Sequence, residues 1–321
     1  MTNKPPLRIV FMGTPDFAVP CLQALLDAPE VATVLAVFTQ PDRPAGRGME
    51  LKAPPVKTLA LEHGIPVHQP ENINRGDSPR LLADLMVDVA VVVAYSHFLG
   101  KAVLNTPRLG CVNVHGSLLP QYRGAAPIQY ALLNGDMETG VTTMKLVEKM
   151  DAGPILLRGT IPIPSSMTCV ELYGELSKLG AELLVETLRG LRDGTVKEIP
   201  QDETQATYAK IINKEDGRAD FTHTARSLCH RIRAFTPWPG VFAPTSKGVM
   251  KFSAAEPVDN WPGAPEAAKP GQWTADGERL LVKCGDGWLR LLMVQLEGKK
   301  PVTAEQFLHG LQGKKDEFQF L

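Results

Sequence analysis

The first apolar run, Leu7–Met12 (LRIVFM), is short, rich in β-branched residues and stopped by Gly13, which predicts a buried strand. A helix is expected from about Asp16, with Leu22, Leu25 and Leu26 on its apolar face. Pro20 is tolerable there because the first turn needs few N–H donors. Val34–Thr39 reads as a second strand, so the opening is strand–helix–strand, the unit of a parallel sheet covered by helices. Residues 40–55 carry four prolines and two glycines and predict a long irregular loop, of a kind that is often functional. The alternation then resumes. Val56–His63 reads as a helix, Ile65–Val67 as a short strand and Leu81–Met86 as the end of another helix. Val87–Tyr95 is apolar on both faces, as a central parallel strand should be. Cys111–His115 and Val141–Val147 are further strands, Cys169–Leu191 a long helix, and the polar text at Gln201–Thr204 a linker. Beyond it, Thr222 is placed to cap a helix bearing Ala225, Leu228, Ile232 and Phe235. After residues 237–240 (PWPG) the pattern turns to short strands. Leu280–Cys284 and Trp288–Met293 form a hairpin pattern, and Ala254–Pro270 reads as a loose loop. Several short strands in so few residues predict a small β-barrel or sandwich.

Composition narrows the class. A length of 321 residues predicts two domains. With 44% hydrophobic and 21% charged residues, wholesale disorder is excluded. No apolar run is long enough for a membrane helix, and the first residues do not read as a secretory signal. The five cysteines lie far apart with no C-x-x-C pair, which argues against a zinc knuckle and fits reduced thiols in a cytoplasm. A net charge of −1 argues against bulk capture of nucleic acid, so any such contact must come from a local patch.

Four groups of residues carry candidate chemistry. Gly13-Thr14-Pro15-Asp16-Phe17 is a strand-to-helix turn, but it lacks G-x-G-x-x-G, which disfavours a nicotinamide oxidoreductase. Asn113 and His115 are two apart near a strand end, so they share a face where open α/β sheets place ligands. A carboxamide beside an imidazole can hold a developing oxyanion and move a proton, although a buried pair satisfied by backbone reads the same way. Asp151 follows a strand end and can orient a histidine, or simply serve a turn. Arg226, His230 and Arg233 share a helix face that either meets phosphates or is merely solvated.

Taken together in order, these stretches resemble the methionyl-tRNA formyltransferase family. The likeness is carried by residues 13–17 (GTPDF), 38–48 (FTQPDRPAGRG), 110–120 (GCVNVHGSLLP), 122–129 (YRGAAPIQ), 151–153 (DAG), 201–204 (QDET) and 233–240 (RAFTPWPG). The resemblance implies an α/β, Rossmann-like parallel-sheet formyltransferase domain over residues 1–206 with its linker. It implies a small OB-like C-terminal β-barrel, tRNA-binding, over residues 207–321. It implies transfer of a formyl group from 10-formyltetrahydrofolate to the amine of initiator methionyl-tRNA, with no metal, by a cytoplasmic monomer that needs no membrane. Carried over residue by residue, Asn113, His115 and Asp151 are the catalytic set. Ser117, Leu118, Leu119 and Pro120 are the folate segment. Phe17, Arg43 and Arg47 are the tRNA contacts, with Lys52, Arg226, His230 and Arg233 as further basic candidates. Two departures are visible. Ser96-His97 stands where relatives commonly have glycine after the tyrosine, which is expected to narrow the folate pocket. Met49-Glu50 stands where lysines are common, which shifts tRNA affinity toward Lys52 or the C-terminal domain. The same chemistry on another amine, or RNA binding without catalysis, are the competing readings.

Overall fold

The computed structural model describes residues 4–45, 50–259, 261–311 and 317–321. Two compact units are present: residues 1–127, 138–162 and 173–209 form one, and 128–137, 163–172 and 210–321 the other.

The first unit is built on β1 (Leu7–Gly13), β2 (Ala32–Phe38), β3 (Arg43–Ala45), β4 (Glu50–Lys52), β5 (Val67–His68), β6 (Val89–Val93), β7 (Cys111–His115), β8 (Arg123–Gly124), β9 (Glu138–Lys145), β10 (Ile155–Pro162) and β11 (Tyr208–Ala209). Seven of these make one sheet in the order β10-β9-β7-β6-β1-β2-β5. β5, β2, β1, β6 and β7 are parallel, as the alternating pattern predicts, whereas β9 and β10 add antiparallel at one edge. β10 is not among the expected strands, although its residues from Leu157 to Pro162 alternate between partly buried and exposed as an edge strand's do. Ile9, Val10, Phe11 and Met12 have no exposed surface. Burial of each such side chain stabilises by about 1.5–3 kcal/mol, so this strand anchors the core. The loop expected at 40–55 is instead partly a two-stranded hairpin of β3 and β4. Its two strands are short enough for the prolines to fall at ends and edges. Arg47 and Met49 lie outside the described residues.

The second unit holds β12 (Val241–Thr245), β13 (Gly248–Val258), β14 (Trp273–Asp276), β15 (Arg279–Lys283), β16 (Trp288–Leu296) and β17 (Val302–Thr303), antiparallel in the order β12-β13-β16-β15-β14 with β17 on β16. Among the described residues these pairings leave the sheet open, so the expected OB-like barrel is not closed. The terminal segment joins β12 through a bridge between Thr245 and Phe320, and meets β14 where the Trp273 indole donates to the Phe318 carbonyl. The region expected to be loose from Ala254 is strand as far as Val258. One long helix of this unit spans Ala225–Ala234, and its cap is Thr224 rather than Thr222. Thr222 is already committed, because its amide and hydroxyl both donate to the Asp220 carboxylate. No helix among the described residues is long and apolar enough to cross a membrane.

Candidate active site

β7 ends in Asn113 and His115, whose side chains leave the sheet on one face. His115 is 6% exposed and Asn113 half-buried. Chain order reverses about β1, with β2 and β5 on one side and β6 and β7 on the other. The crevice outside the carboxyl ends at such a reversal is where open α/β sheets take ligands. His115 Nε2 lies 2.9 Å from the Tyr122 carbonyl. A carbonyl only accepts, so Nε2 is assigned the proton and donates. Nδ1 then faces Asp151 Oδ2 at 3.8 Å, too long for a hydrogen bond but close enough for direct Coulomb interaction. The strand-end aspartate thus meets the histidine across 36 residues of chain.

Asp151 stands in a left-handed turn at φ +48°. Its Oδ2 accepts the Gly124 N–H at 2.8 Å. Two glycines make this approach feasible. A Cβ on Gly124 would lie 2.5 Å from the Ala209 carbonyl oxygen, and one on Gly153 would lie 1.8 Å from that of Lys145. Gln201 holds the turn from the other side, donating Nε2 to the carbonyls of Asp151 (2.7 Å) and Gly153 (2.8 Å). Its Oε1 accepts from Arg123 Nε at 3.0 Å and Nη2 at 2.8 Å. Arg123 has no exposed surface and forks onto Glu203, which also accepts from Lys149 at 2.6 Å. Gln201 and Glu203, taken from the sequence as linker text, are therefore part of the wall behind Asp151. Sequence reasoning missed this wall. Its only signal was that Arg123 and Gln201 lie inside the stretches that carry the family resemblance.

Hydrogen bonds from Arg123 and Lys149 hold the Glu203 carboxyl at about 2. Its folded value lies below the ordinary carboxylate value of about 4.3, so the pair stabilises above that pH and is lost as pH falls through the folded value. Thermal melts are expected to show wild type more stable than Glu203→Gln near neutrality, with the two converging between about pH 4.5 and pH 2.

Other expected site residues fall out differently. Ser117 is fully buried and donates Oγ to the Gln121 carbonyl, and Leu119 is buried with its N–H on Thr142. Pro120 is buried too, so Leu118 is the member of that segment with partly exposed surface. Phe17, expected to contact the tRNA, is 5% exposed and packs edge-on against Tyr173. The Gly13–Phe17 turn is tied down structurally, through Phe17 N–H to the Tyr173 hydroxyl and Ser177 Oγ to the Phe17 carbonyl. Arg43 and Lys52 are exposed and stand directly opposite one another on the hairpin, Arg43 pairing with Glu71 at 3.1 Å. The Arg226, His230 and Arg233 face is not the free cationic stripe its spacing suggests. Arg226 is exposed and pairs with Asp259 at 3.4 Å. Arg233 donates to the carbonyls of Pro164 and Met167. His230 packs on Gly135, where a Cβ would come 2.2 Å from its ring, and burial lowers its basicity. Sequence-distant segments of the same unit cover that face, which helical spacing cannot reveal.

At the end of β6, the Tyr95 hydroxyl and His97 Nδ1 are buried without partners among the described residues. Their rings meet edge-on at 5.0 Å. Ser96 between them adopts φ +62°, a conformation that favours glycine. Two orphaned polar groups beside β7 suit a heteroaromatic ligand that can hydrogen-bond, since buried polar atoms rarely stay unpaired.

The sequence pattern described as formyl transferase matches residues 7–188, and that of the formyl transferase C-terminal domain matches 211–312. The chain is 46% identical over 311 residues to the methionyl-tRNA formyltransferase of Methylococcus capsulatus, covering 96% of this chain and 99% of that protein. It is 47% identical to that of Acidobacterium capsulatum, covering 95% and 96%. Among solved structures, the sugar 3N-formyl transferase WlaRD, determined with dTDP and 5-N-formyl-THF, shares the fold at TM-score 0.66 and 18% identity, covering 92% of this chain and 99% of that one. HypX from Aquifex aeolicus, in complex with tetrahydrofolic acid, matches at TM-score 0.59 and 17% identity, covering 96% of this chain and 48% of that one. The chain belongs to the formyl transferase family and, within it, to the methionyl-tRNA formyltransferases, enzymes that formylate methionyl-tRNA.

Proposed function

We propose that Asn113, His115 and Asp151 carry out this transfer, with 10-formyltetrahydrofolate as donor held along Leu118, Tyr95 and His97. Bound there, the folate supplies an activated formyl group. Asn113 and His115 Nδ1 meet the negative charge that grows on the formyl oxygen as the methionyl amine adds. Asp151 Oδ2 offsets the charge of the ring when Nδ1 carries a proton, and relays through water the proton the amine sheds to the folate nitrogen, whose bond to the formyl carbon breaks as the new amide bond is completed. Side-by-side binding of the two substrates removes much of the entropic cost. The observation that carries this reading is the 3.8 Å approach of His115 to Asp151 at the carboxyl edge of β7. A thiol nucleophile is disfavoured, because burial pushes Cys111 on the same strand up to about 12. Incubation with charged initiator tRNA and 10-formyltetrahydrofolate should yield formylmethionine. Formylation of a nucleotide sugar but not of methionyl-tRNA would overturn the acceptor assignment.

The RNA contact is assigned to the hairpin cations Arg43 and Lys52 and to Arg226 in the C-terminal domain, residues 207–321. Phosphate contact of this kind makes affinity fall with salt. Replacing Arg43 and Lys52 together with alanine is expected to weaken tRNA binding and to flatten the log–log salt slope by about 1 per cation. Unchanged slopes in a filter-binding titration would refute the assignment. We take the working form to be a cytoplasmic monomer; the five free cysteines fit a reducing compartment.

A further inference from the structure

We propose that Gln201 is a positioning residue for the reaction, a clamp that sets the Asp151 carboxylate against His115. The proposal rests on the reading of Asp151 given above. Three features of the turn point to it. First, Asp151 is held at φ +48°, a conformation non-glycine residues keep only where neighbours over-determine it. Second, the side chain that holds it is specific. Both hydrogens of the Gln201 amide are spent on two carbonyls of the same turn, those of Asp151 and Gly153. Third, the amide cannot flip, because its oxygen is fixed by two N–H donors of a guanidinium with no exposed surface. Arg123 in turn is fixed by Glu203, and Glu203 by Lys149, two residues before Asp151. The chain of bonds begins and ends on the loop that carries the carboxylate. Gly124, next to Arg123, donates its own N–H to Asp151 Oδ2. One buried arginine therefore anchors both holds, on the backbone of Asp151 through Gln201 and on its carboxylate through the adjoining peptide.

Gln201→Glu separates this role from mere packing. The substitution keeps shape and keeps an acceptor for Arg123, but it replaces the amide donors with an oxygen facing two carbonyls. The turn is then repelled instead of held, and a displacement of about 1 Å at a reacting group can cost 100-fold in rate. Steady-state kinetics are expected to show kcat lowered about 10- to 100-fold, with KM for both substrates nearly unchanged. The decisive measurement is a double-mutant cycle. If Gln201 works through Asp151, Gln201→Glu should leave the residual rate of Asp151→Asn unchanged within about 2-fold, a non-additivity expected of groups acting as a unit. Equal losses in both backgrounds, or wild-type kcat in Gln201→Glu, would overturn the clamp. Wild-type turnover in Asp151→Asn alone would instead overturn the reading beneath it. If Gln201→Glu melts at assay temperature, Gln201→Asn, one methylene short with the same donors, carries the same cycle.

Discussion

Replacing His115 with alanine is expected to lower the rate of formyl transfer about 10²- to 10⁴-fold, the range for removal of a positioned proton-transfer group. The loss should appear in kcat, with KM for the folate and for the charged tRNA little changed, because the ring is invoked at the transition state and not for binding. Asp151→Asn should show a similar deficit, since the neutral amide keeps the shape of the side chain but removes the charge facing Nδ1 at 3.8 Å. Single-turnover formylation with acid-urea separation of the tRNA measures both. Circular dichroism should return native folds, because the side-chain hydrogen bond of the His115 ring among the described residues, to the Tyr122 carbonyl, costs about 1 kcal/mol when lost. Near-normal turnover in either variant would remove these residues from the mechanism.

The largest effect on stability is expected from Arg123→Met. The guanidinium is fully buried and joins Gln201, Glu203 and, through them, the Asp151 turn. Methionine fills the stem, so little cavity opens, but Gln201 Oε1 loses both donors and Glu203 loses its buried partner. Breaking such a set from one side destabilises by about 2–4 kcal/mol. Melting should fall by roughly 5–10 °C by scanning calorimetry. Arg43→Met is the control. Its pair with Glu71 is exposed on both sides, 63% and 74%, so the change should stay within about 1 kcal/mol. Equal melting shifts for the two variants would show that burial does not decide the difference.

Much of the first unit was legible because its signals are local. Leu7–Met12, Val87–Tyr95 and Cys111–His115 are short apolar runs bounded by turns, and strands form at Leu7–Gly13, Val89–Val93 and Cys111–His115. The boundaries drift elsewhere, as with the cap at Thr224, because two threonines in adjacent turns compete for the same kind of role and only Thr222 has Asp220 beside it. The second unit was legible as antiparallel strands, with Leu280 opposite Leu291 across the predicted hairpin. Barrel closure was not, because it depends on which edges meet and not on alternation within a strand.

Period-two alternation along β7 was enough to put Asn113 and His115 on one face, since that geometry is a property of any strand. The match of motifs in order was enough to suggest the family. Which aspartate the imidazole faces, and what holds that aspartate there, depended on tertiary structure. Asp151 reaches His115 because β9 adds antiparallel to β7 and the turn beyond it is closed down by Gly153, Gly124 and Gln201. The same is true of the helix face carrying His230 and Arg233, which looks free in one dimension and is covered in three. Local pattern specifies direction from the backbone, whereas a partner is chosen by segments far away in the chain whose approach carries no periodic signature.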